Sequence, residues 1–283
     1  MKIIESGEEM REYSQQLKQA RKTIGLLDTT GGLHDGHMSL VKIAKDNVDV
    51  VIVSIDRIMD YTHCSREEYK TQLKVYEDVD LKKDADLCEL NNVDVLFIPL
   101  MDDLYPDSPT IHLDPLPLNV QNFLQNPPIH MKFIFGAKEL YNITLPDISI
   151  LGQKDIYQTF VLKSLIHQLN LPIKVTMTPI VRDFDGLAFS SRNQLLTPLE
   201  REDATSIYQT LHEISRWTSY PPVAEIKKHI ISRITNANGS VNYLDICCAE
   251  TLEELDLIDR KFVIIVDVFF GEIQLGDNII IEP

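Results

Sequence analysis

At 283 residues the chain exceeds one ordinary domain, and with 44% hydrophobic residues it can bury the cores of two. A formal net charge of −16 argues against duplex nucleic acid or an anionic membrane surface as partner, since both need a basic face, and still permits a small anionic ligand in a local basic pocket. The opening "MKIIESGEEMREYSQQLKQ" turns polar after Ile4, unlike a secretory leader, and no apolar run reaches a membrane span, so the expected setting is cytoplasmic.

Short apolar runs alternate with longer amphipathic ones. "TIGLL" (Thr23 to Leu27) predicts a buried strand and Gly36 to Lys45 a helix. "VDVVIVSI" (Val48 to Ile55) is rich in β-branched residues and predicts the clearest strand of the chain. A charged helical stretch from Ser65 to about Asn91 leads to a further strand, "VDVLFIPL" (Val93 to Leu100). "DISILGQKD" (Asp147 to Asp155) predicts a short strand entering a helix that ends near Leu169, and "IKVTMTPI" (Ile173 to Ile180) another strand. This strand–helix repetition implies an α/β fold, a parallel sheet covered by helices. In such sheets ligands bind beyond the carboxyl ends of the strands, where "TTGGLHDGH", the end of "VVIVSI" and "LGQKD" all fall.

Near residue 180 the pattern changes. Thr197 to about Ile234 reads as helical, followed by strand-like runs "VNYLDICC", "KFVIIVDVFF" and, after a turn at Gly271 and Glu272, "IQLGDNIIIE". A smaller α+β domain over 179–283 is expected after a first domain over 1–178. Cys64, Cys88, Cys247 and Cys248 form no C-x-x-C pair and no usual zinc spacing, so they read as isolated thiols.

Three segments carry chemistry. In "GGLHDGH" two glycines permit a tight turn, and the following helix start offers unpaired N–H groups. His34 and His37, at i and i+3, share a helix face and can donate to phosphate oxygens, and Gly36 leaves room for a ligand near the backbone. A polar turn, or a two-histidine metal site lacking a third ligand, fits the same spacing. In "LGQKD", Lys154 at a strand end either meets phosphates or is an exposed lysine. "FSSRN" supplies Ser190, Ser191 and Arg192, which suit a triphosphate or a leaving pyrophosphate, or else cap the helix that follows. Asp183 and Asp185 ahead of it either help hold Mg²⁺ or end a strand.

Taken in order, "GGLHDGH", "VDVLFIP" with "LYP", "LPD…LGQKD…Q", "VRDFDGLAFSSRNQLLTPLER" and "YLDI…AETLEEL…GEIQLGDNIII" resemble the pantothenate synthetase (pantoate–β-alanine ligase) family over nearly the whole length. The resemblance implies a Rossmann-like ATP-binding domain of the HxGH adenylate-forming and nucleotidyltransferase type, a C-terminal lid domain and a homodimer. It implies ATP with Mg²⁺, a small carboxylate and an amine as reactants, with a carboxyl adenylate between the two steps and pantothenate as the family's product. Carried over by position, His34, His37, Lys154, Ser190 and Arg192 are the catalytic group. Thr30, Gly36, Gly152, Asp155 and Ser191 join His37, Lys154, Ser190 and Arg192 around ATP, and Thr30, Ile58, Tyr61 and Gln158 line the acid pocket.

The chain departs from the family pattern mainly on the acid and amine side. "PTMG" becomes "DTTG", placing Asp28 and Thr30 at the proline and methionine positions, and "FVNPxQF" becomes "DRIMDYT", with Ile58, Met59 and Tyr61 at the asparagine, proline and glutamine. The segment matching "RPGHF" is "NPPIHM", with Asn126 at the arginine and His130 nearby. The lysine of "KLFN" falls on Glu139 in strict register or on Lys138 with a shift of one. A site built to bond a hydroxyl discriminates through that bond, so these changes imply either pantoate in an unusual pocket or a different acid joined by the same chemistry. A nucleotidyltransferase, or a nucleotide-binding protein without turnover, are the readings from other classes.

Overall fold

The computed structural model describes residues 1–56, 81–104 and 127–283, with the side chains of 101–102 and 127–133 left aside. The described residues up to Thr178 form one compact unit and Pro179–Pro283 a second. In the first unit the order is β1 (Lys2–Ile4), α1 (Gly7–Gln19), β2 (Ile24–Thr29), α2 (Asp35–Lys45), β3 (Val50–Ile55), α3 (Leu81–Leu90), β4 (Val95–Phe97), a single turn α4 (Met101–Leu104), α5 (Pro127–Thr144), β5 (Ile148–Gly152), α6 (Ile156–Gln168) and β6 (Lys174–Thr178).

All six strands are parallel and lie in the order β1-β4-β3-β2-β5-β6. Every residue of β3 is buried, as continuous apolar runs covered on both faces must be. Leu27, Val51, Val53, Ile55 and Ile150 pack on one face against Met38, Val41 and Ala44 of α2. From β2 the chain builds outward through β3 and β4 on one side, then returns to place β5 and β6 on the other. That reversal opens a crevice beyond the carboxyl ends of β2 and β5, the usual ligand position in a doubly wound sheet.

The strand expected over Val93–Leu100 shrinks to Val95–Phe97, because Asp94 commits its carboxylate to Val51 N–H and Lys45, and Pro99 follows with no N–H to give a ladder. The helical stretch expected from Ser65 lies partly outside the described residues; within them it is α3. Four elements of this unit had no sequence expectation: β1, α1, α4 and α5.

The second unit holds a 3₁₀ turn (Ser191–Leu195), α7 (Pro198–Ile214), α8 (Val223–Asn236) and an antiparallel sheet β7 (Ser240–Cys248), β8 (Phe262–Phe270) and β9 (Ile273–Ile281), in the order β7-β8-β9. "TPLE" starts α7 with a reciprocal cap: Thr197 Oγ1 accepts Glu200 N–H at 3.3 Å, and Glu200 Oε2 accepts Thr197 N–H at 2.8 Å. Ile207, Leu211 and Ile214 of α7 and Ile226, Ile230 and Ile234 of α8 recur at helical spacing and bury against Phe262, Ile264, Val266 and Phe270 of β8. Each such side chain contributes about 1.5–3 kcal/mol. Among the described residues no helix is long and apolar enough to cross a membrane.

Candidate active site

The turn after β2 carries Gly31 and Gly32 at φ 88° and 64°, a left-handed pair that residues with a Cβ adopt only at a cost. It delivers the chain to His34, the N-cap of α2, in extended backbone. His34 Nδ1 accepts Gly36 N–H at 3.1 Å and His37 Nδ1 accepts His34 N–H at 3.3 Å, so each ring helps close the start of its own helix. The ring centroids are 4.1 Å apart. A ring nitrogen that accepts carries no proton, which places the proton of each neutral imidazole on Nε2.

Burial, with Lys154 nearby, lowers His34 to about 4 against a partial opposing pull from Asp35. Burial, then His34 and Lys154, lowers His37 to about 3. Lys154 lies in the 3₁₀ turn Gln153–Asp155 directly after β5. Two neutral N–H donors and a lysine therefore meet at the crevice where the strand order reverses, supplied by the ends of the neighbouring strands β2 and β5.

The backbone of this loop differs from the expected anion cradle. Gly31 N–H donates to Thr29 Oγ1 at 3.3 Å, and Gly32 and Leu33 N–H donate to Asp84 Oδ2 and Oδ1, both at 2.8 Å. His37 N–H donates to His34 O at 2.8 Å. With Gly36 and His34 N–H already committed to ring nitrogens, donors for a ligand here come chiefly from side chains. Asp84, on α3 and 2% exposed, was invisible to motif reading because it sits in an ordinary charged helix.

The remaining expected residues divide by unit. Thr30 precedes the histidines and Gly36 lies between them, and Gly152 ends β5 with φ −78° and open space where a Cβ would stand. Asp155 is exposed and Gln158 half-buried on the first turn of α6. In the second unit Ser190 Oγ accepts Arg192 N–H at 3.2 Å and caps the 3₁₀ turn, while the helix that follows is capped by Thr197; Arg192 Nη1 donates to Gln274 O at 3.4 Å. Ser191 opens the 3₁₀ turn. Ile58 and Tyr61 lie outside the described residues, as do Arg57, Cys64 and Asn126 and the side chain of His130. Lys138 pairs with the adjacent Glu139.

Asp183 and Asp185 form a clamp on Arg201, which donates to Asp183 Oδ2 at 2.9 Å and Asp185 Oδ1 at 3.1 Å. Although burial opposes it, hydrogen bonds from Arg201 and Leu187 hold Asp185 below the usual carboxylate range. Asp185 Oδ1 also accepts Leu187 N–H at 3.2 Å and Gly186 N–H donates to Asp183 O at 2.9 Å, so the bonds of this pair hold the turn. Gly186 within that turn has φ 91°, and a Cβ there would strike the Tyr208 ring. Among the described residues no cluster of His, Cys, Asp or Glu is arranged to hold a metal, and Cys88, Cys247 and Cys248 are buried free thiols.

At the carboxyl ends of β2 and β3, Asp28 accepts from Ser54 Oγ at 2.6 Å and lies beside buried Asp56, whose N–H reaches Thr29 O at 2.7 Å. Burial and the Asp56 charge push the Asp28 carboxyl up to about 8, against the Ser54 bond that pulls it down. That carboxyl is therefore much harder to ionise than an exposed one.

The sequence matches the pantoate-beta-alanine ligase family over residues 2–280. It is 35% identical over 286 residues to a pantothenate synthetase of Thermotoga petrophila, covering 99% of this chain and 100% of that one. The structure is similar to pantothenate synthetase from Thermus thermophilus, with a TM-score of 0.85, 26% identity and full coverage of both chains. It is also similar to the pantoate-beta-alanine ligase of Francisella tularensis complexed with beta-gamma ATP and β-alanine, with a TM-score of 0.77, 28% identity and coverage of 99% and 97%.

Proposed function

Because the chain belongs to the pantoate–β-alanine ligase family, and is therefore a ligase that forms an amide bond with ATP, we propose that it works through a carboxyl adenylate. The observation that supports this most directly is the meeting of His34, His37 and Lys154 at the reversal of strand order. In the first step a carboxylate oxygen attacks the α-phosphorus of ATP, and the bond to the bridging oxygen of the β-phosphate breaks to release pyrophosphate. Negative charge builds on the non-bridging oxygens, and Nε2–H of His34 and His37 with the Lys154 ammonium are the groups assigned to meet it. In the second step an amine nitrogen attacks the acyl carbon, the carbon–oxygen bond to AMP breaks, and the nitrogen loses its extra proton as the amide forms. Little acid–base chemistry is asked of the protein in step one; orientation and electrostatics suffice.

Ser190, Ser191 and Arg192 are assigned to the triphosphate tail, Thr30, Gly36, Gly152 and Asp155 to the nucleotide, and Thr30, Gln158, Ile58 and Tyr61 to the acid, all on the family resemblance. Mg²⁺ enters as part of the Mg·ATP substrate; Asp183 and Asp185, just ahead of the Ser-Ser-Arg segment in sequence, pair with Arg201. Residues 1–178 serve as the ATP-binding domain and 179–283 as the smaller α+β domain, in a homodimer.

Pantoate and β-alanine are the family default. A different acid joined by the same chemistry is favoured by one observation. Asp28 and Asp56 put two carboxyl side chains, Asp56 buried and Asp28 bonded to buried Ser54, at the ends of β2 and β3, where the family pattern has no acid. Such a pair repels an additional bare anion and suits an acid whose far end carries hydrogen-bond donors.

The test is acid-dependent pyrophosphate release from Mg·ATP, first with pantoate and then with small hydroxy, keto and amino acids, followed by addition of amines. Release with pantoate and AMP formation on adding β-alanine is the family reaction; release with another acid and little with pantoate is the second reading. ATP binding without release from any acid would overturn both.

A further inference from the structure

Behind the turn that leads to the two histidines stands a buried carboxylate. Asp84 lies on α3, is 2% exposed, and its two carboxylate oxygens each accept one backbone N–H, from Gly32 and Leu33, at 2.8 Å. These two peptides form the last bend between the left-handed Gly31–Gly32 turn and His34. Fixing consecutive N–H groups with one planar carboxylate sets both position and tilt of that bend, because both oxygens must be satisfied at once. Beyond it the chain has little freedom: His34 N–H must meet His37 Nδ1, and Gly36 N–H must meet His34 Nδ1.

We propose that Asp84 is a positioning residue of this ligase, orienting the Gly31–Gly32 turn so that His34 and His37 present Nε2–H to the phosphates. The inference rests on the reading of the two histidines as phosphate grips. It assigns Asp84 a part in ATP affinity and in adenylation, with little part in recognising the acid once ATP is bound.

The experiment compares Asp84→Ala and Asp84→Asn with the unaltered chain by three measurements: affinity for a non-hydrolysable ATP analogue, KM for ATP against KM for the acid, and histidine ring-nitrogen NMR. Loss of a partner that orients a site residue typically costs about 10- to 100-fold, and that weakening of analogue binding is expected for Asp84→Ala, with KM for the acid at saturating ATP nearly unchanged. Asp84→Asn keeps one acceptor and is expected to fall between. The Nδ1 signals of His34 and His37 should shift as their backbone donors move away.

Unchanged analogue affinity and unchanged Nδ1 signals in folded Asp84→Ala would overturn the proposal. So would equal losses for ATP and acid that track only a falling fraction of folded protein. If Asp84→Ala does not fold, the same outcomes are read on Asp84→Asn. Analogue binding and NMR need no turnover, so a chain that releases no pyrophosphate with any acid would refute the ligation mechanism while still deciding the role of Asp84.

Discussion

His37 Nδ1 accepts the backbone N–H of His34 at 3.3 Å, while the two imidazoles stand 4.1 Å apart, so one histidine closes the backbone under the other. The pair is locked in a single tautomer, neutral, with both donors on Nε2.

This arrangement predicts silent titration curves. With His34 lowered to about 4 and His37 to about 3, neither ring takes a proton as pH falls from about 8 to about 5. The unfolded chain does bind protons near 6.5, so stability contributed by these two residues is intact above that pH and is lost progressively below it. NMR titration of the ring carbons should show no inflection for either residue in the upper range. An ordinary midpoint for His37 would contradict the buried geometry.

Removing a donor should cost chemistry more than structure. His37→Ala and Lys154→Ala are each expected to lower pyrophosphate release by about 100- to 1,000-fold, the usual loss when a group aimed at developing charge is deleted. Melting temperatures should change little for Lys154→Ala, since the lysine is only half-buried in its 3₁₀ turn. Near-normal release from either folded variant would count against the assignment.

Gly152→Ala separates fold from ligand with one carbon. The backbone there, φ −78° and ψ 136°, accepts alanine, and the new Cβ meets no protein atom within 4 Å. The variant should be as stable as the parent or gain about 0.4–1 kcal/mol. If nucleotide passes close to this strand end, ATP affinity should drop by about tenfold or more, as at other glycines that admit a pyrophosphate. Calorimetric titration with an ATP analogue reads the difference directly.

Asp28→Asn should stabilise the protein in a pH-dependent way. The folded-state value of about 8 lies above the ordinary 3.8, so the folded chain holds this proton more tightly than the unfolded one. Stability is therefore complete below the ordinary value and declines as pH rises through about 8. Asparagine still accepts from Ser54 and has nothing to ionise. Thermal melts should show little difference between variant and parent near pH 4 and a higher midpoint for the variant near pH 8, of the order of a few degrees, about 1 kcal/mol or somewhat more. Equal curves at both pH values would mean that burial does not raise the Asp28 carboxyl.

In the second unit, Arg182 donates to both oxygens of buried Asp277, at 2.6 and 3.0 Å, and stacks on the Tyr208 ring. Asp277→Ala strands a largely buried guanidinium and is expected to cost about 3–5 kcal/mol. Denaturant unfolding followed by the single Trp217, which packs against that unit's core, is a suitable readout.

Much of this was legible in the residue order. Apolar runs such as "VVIVSI" announce buried parallel strands because nothing polar interrupts them, and "TPLE" announces a helix because its cap is local. His34, His37 and Lys154 stand out because glycine turns and strand ends flank them. What escaped notice depends on contacts between residues distant in the chain. Asp84 is one acid among many until α3 brings it under the Gly32 and Leu33 peptides. α5 carries an apolar surface too broad for a clean helical stripe, with Ile134, Ala137, Leu140, Tyr141 and Ile143 all buried. The loop amides read as open donors because sequence alone does not reveal their acceptors.

The adjacency of β2 and β5 has a consequence for how the molecule is made. Asp147 accepts Ile24 N–H at 2.7 Å across 123 residues of chain, and the parallel ladder begins just beyond it. The β2–β3 pair closes over a far shorter separation, so loop-closure entropy favours its forming first. Lys154 reaches the two histidines only after the distant closure, which places completion of the proposed ATP grip late in the assembly of this unit. A nascent chain emerging from the ribosome would carry His34 and His37 for most of the unit's synthesis before it could hold a nucleotide.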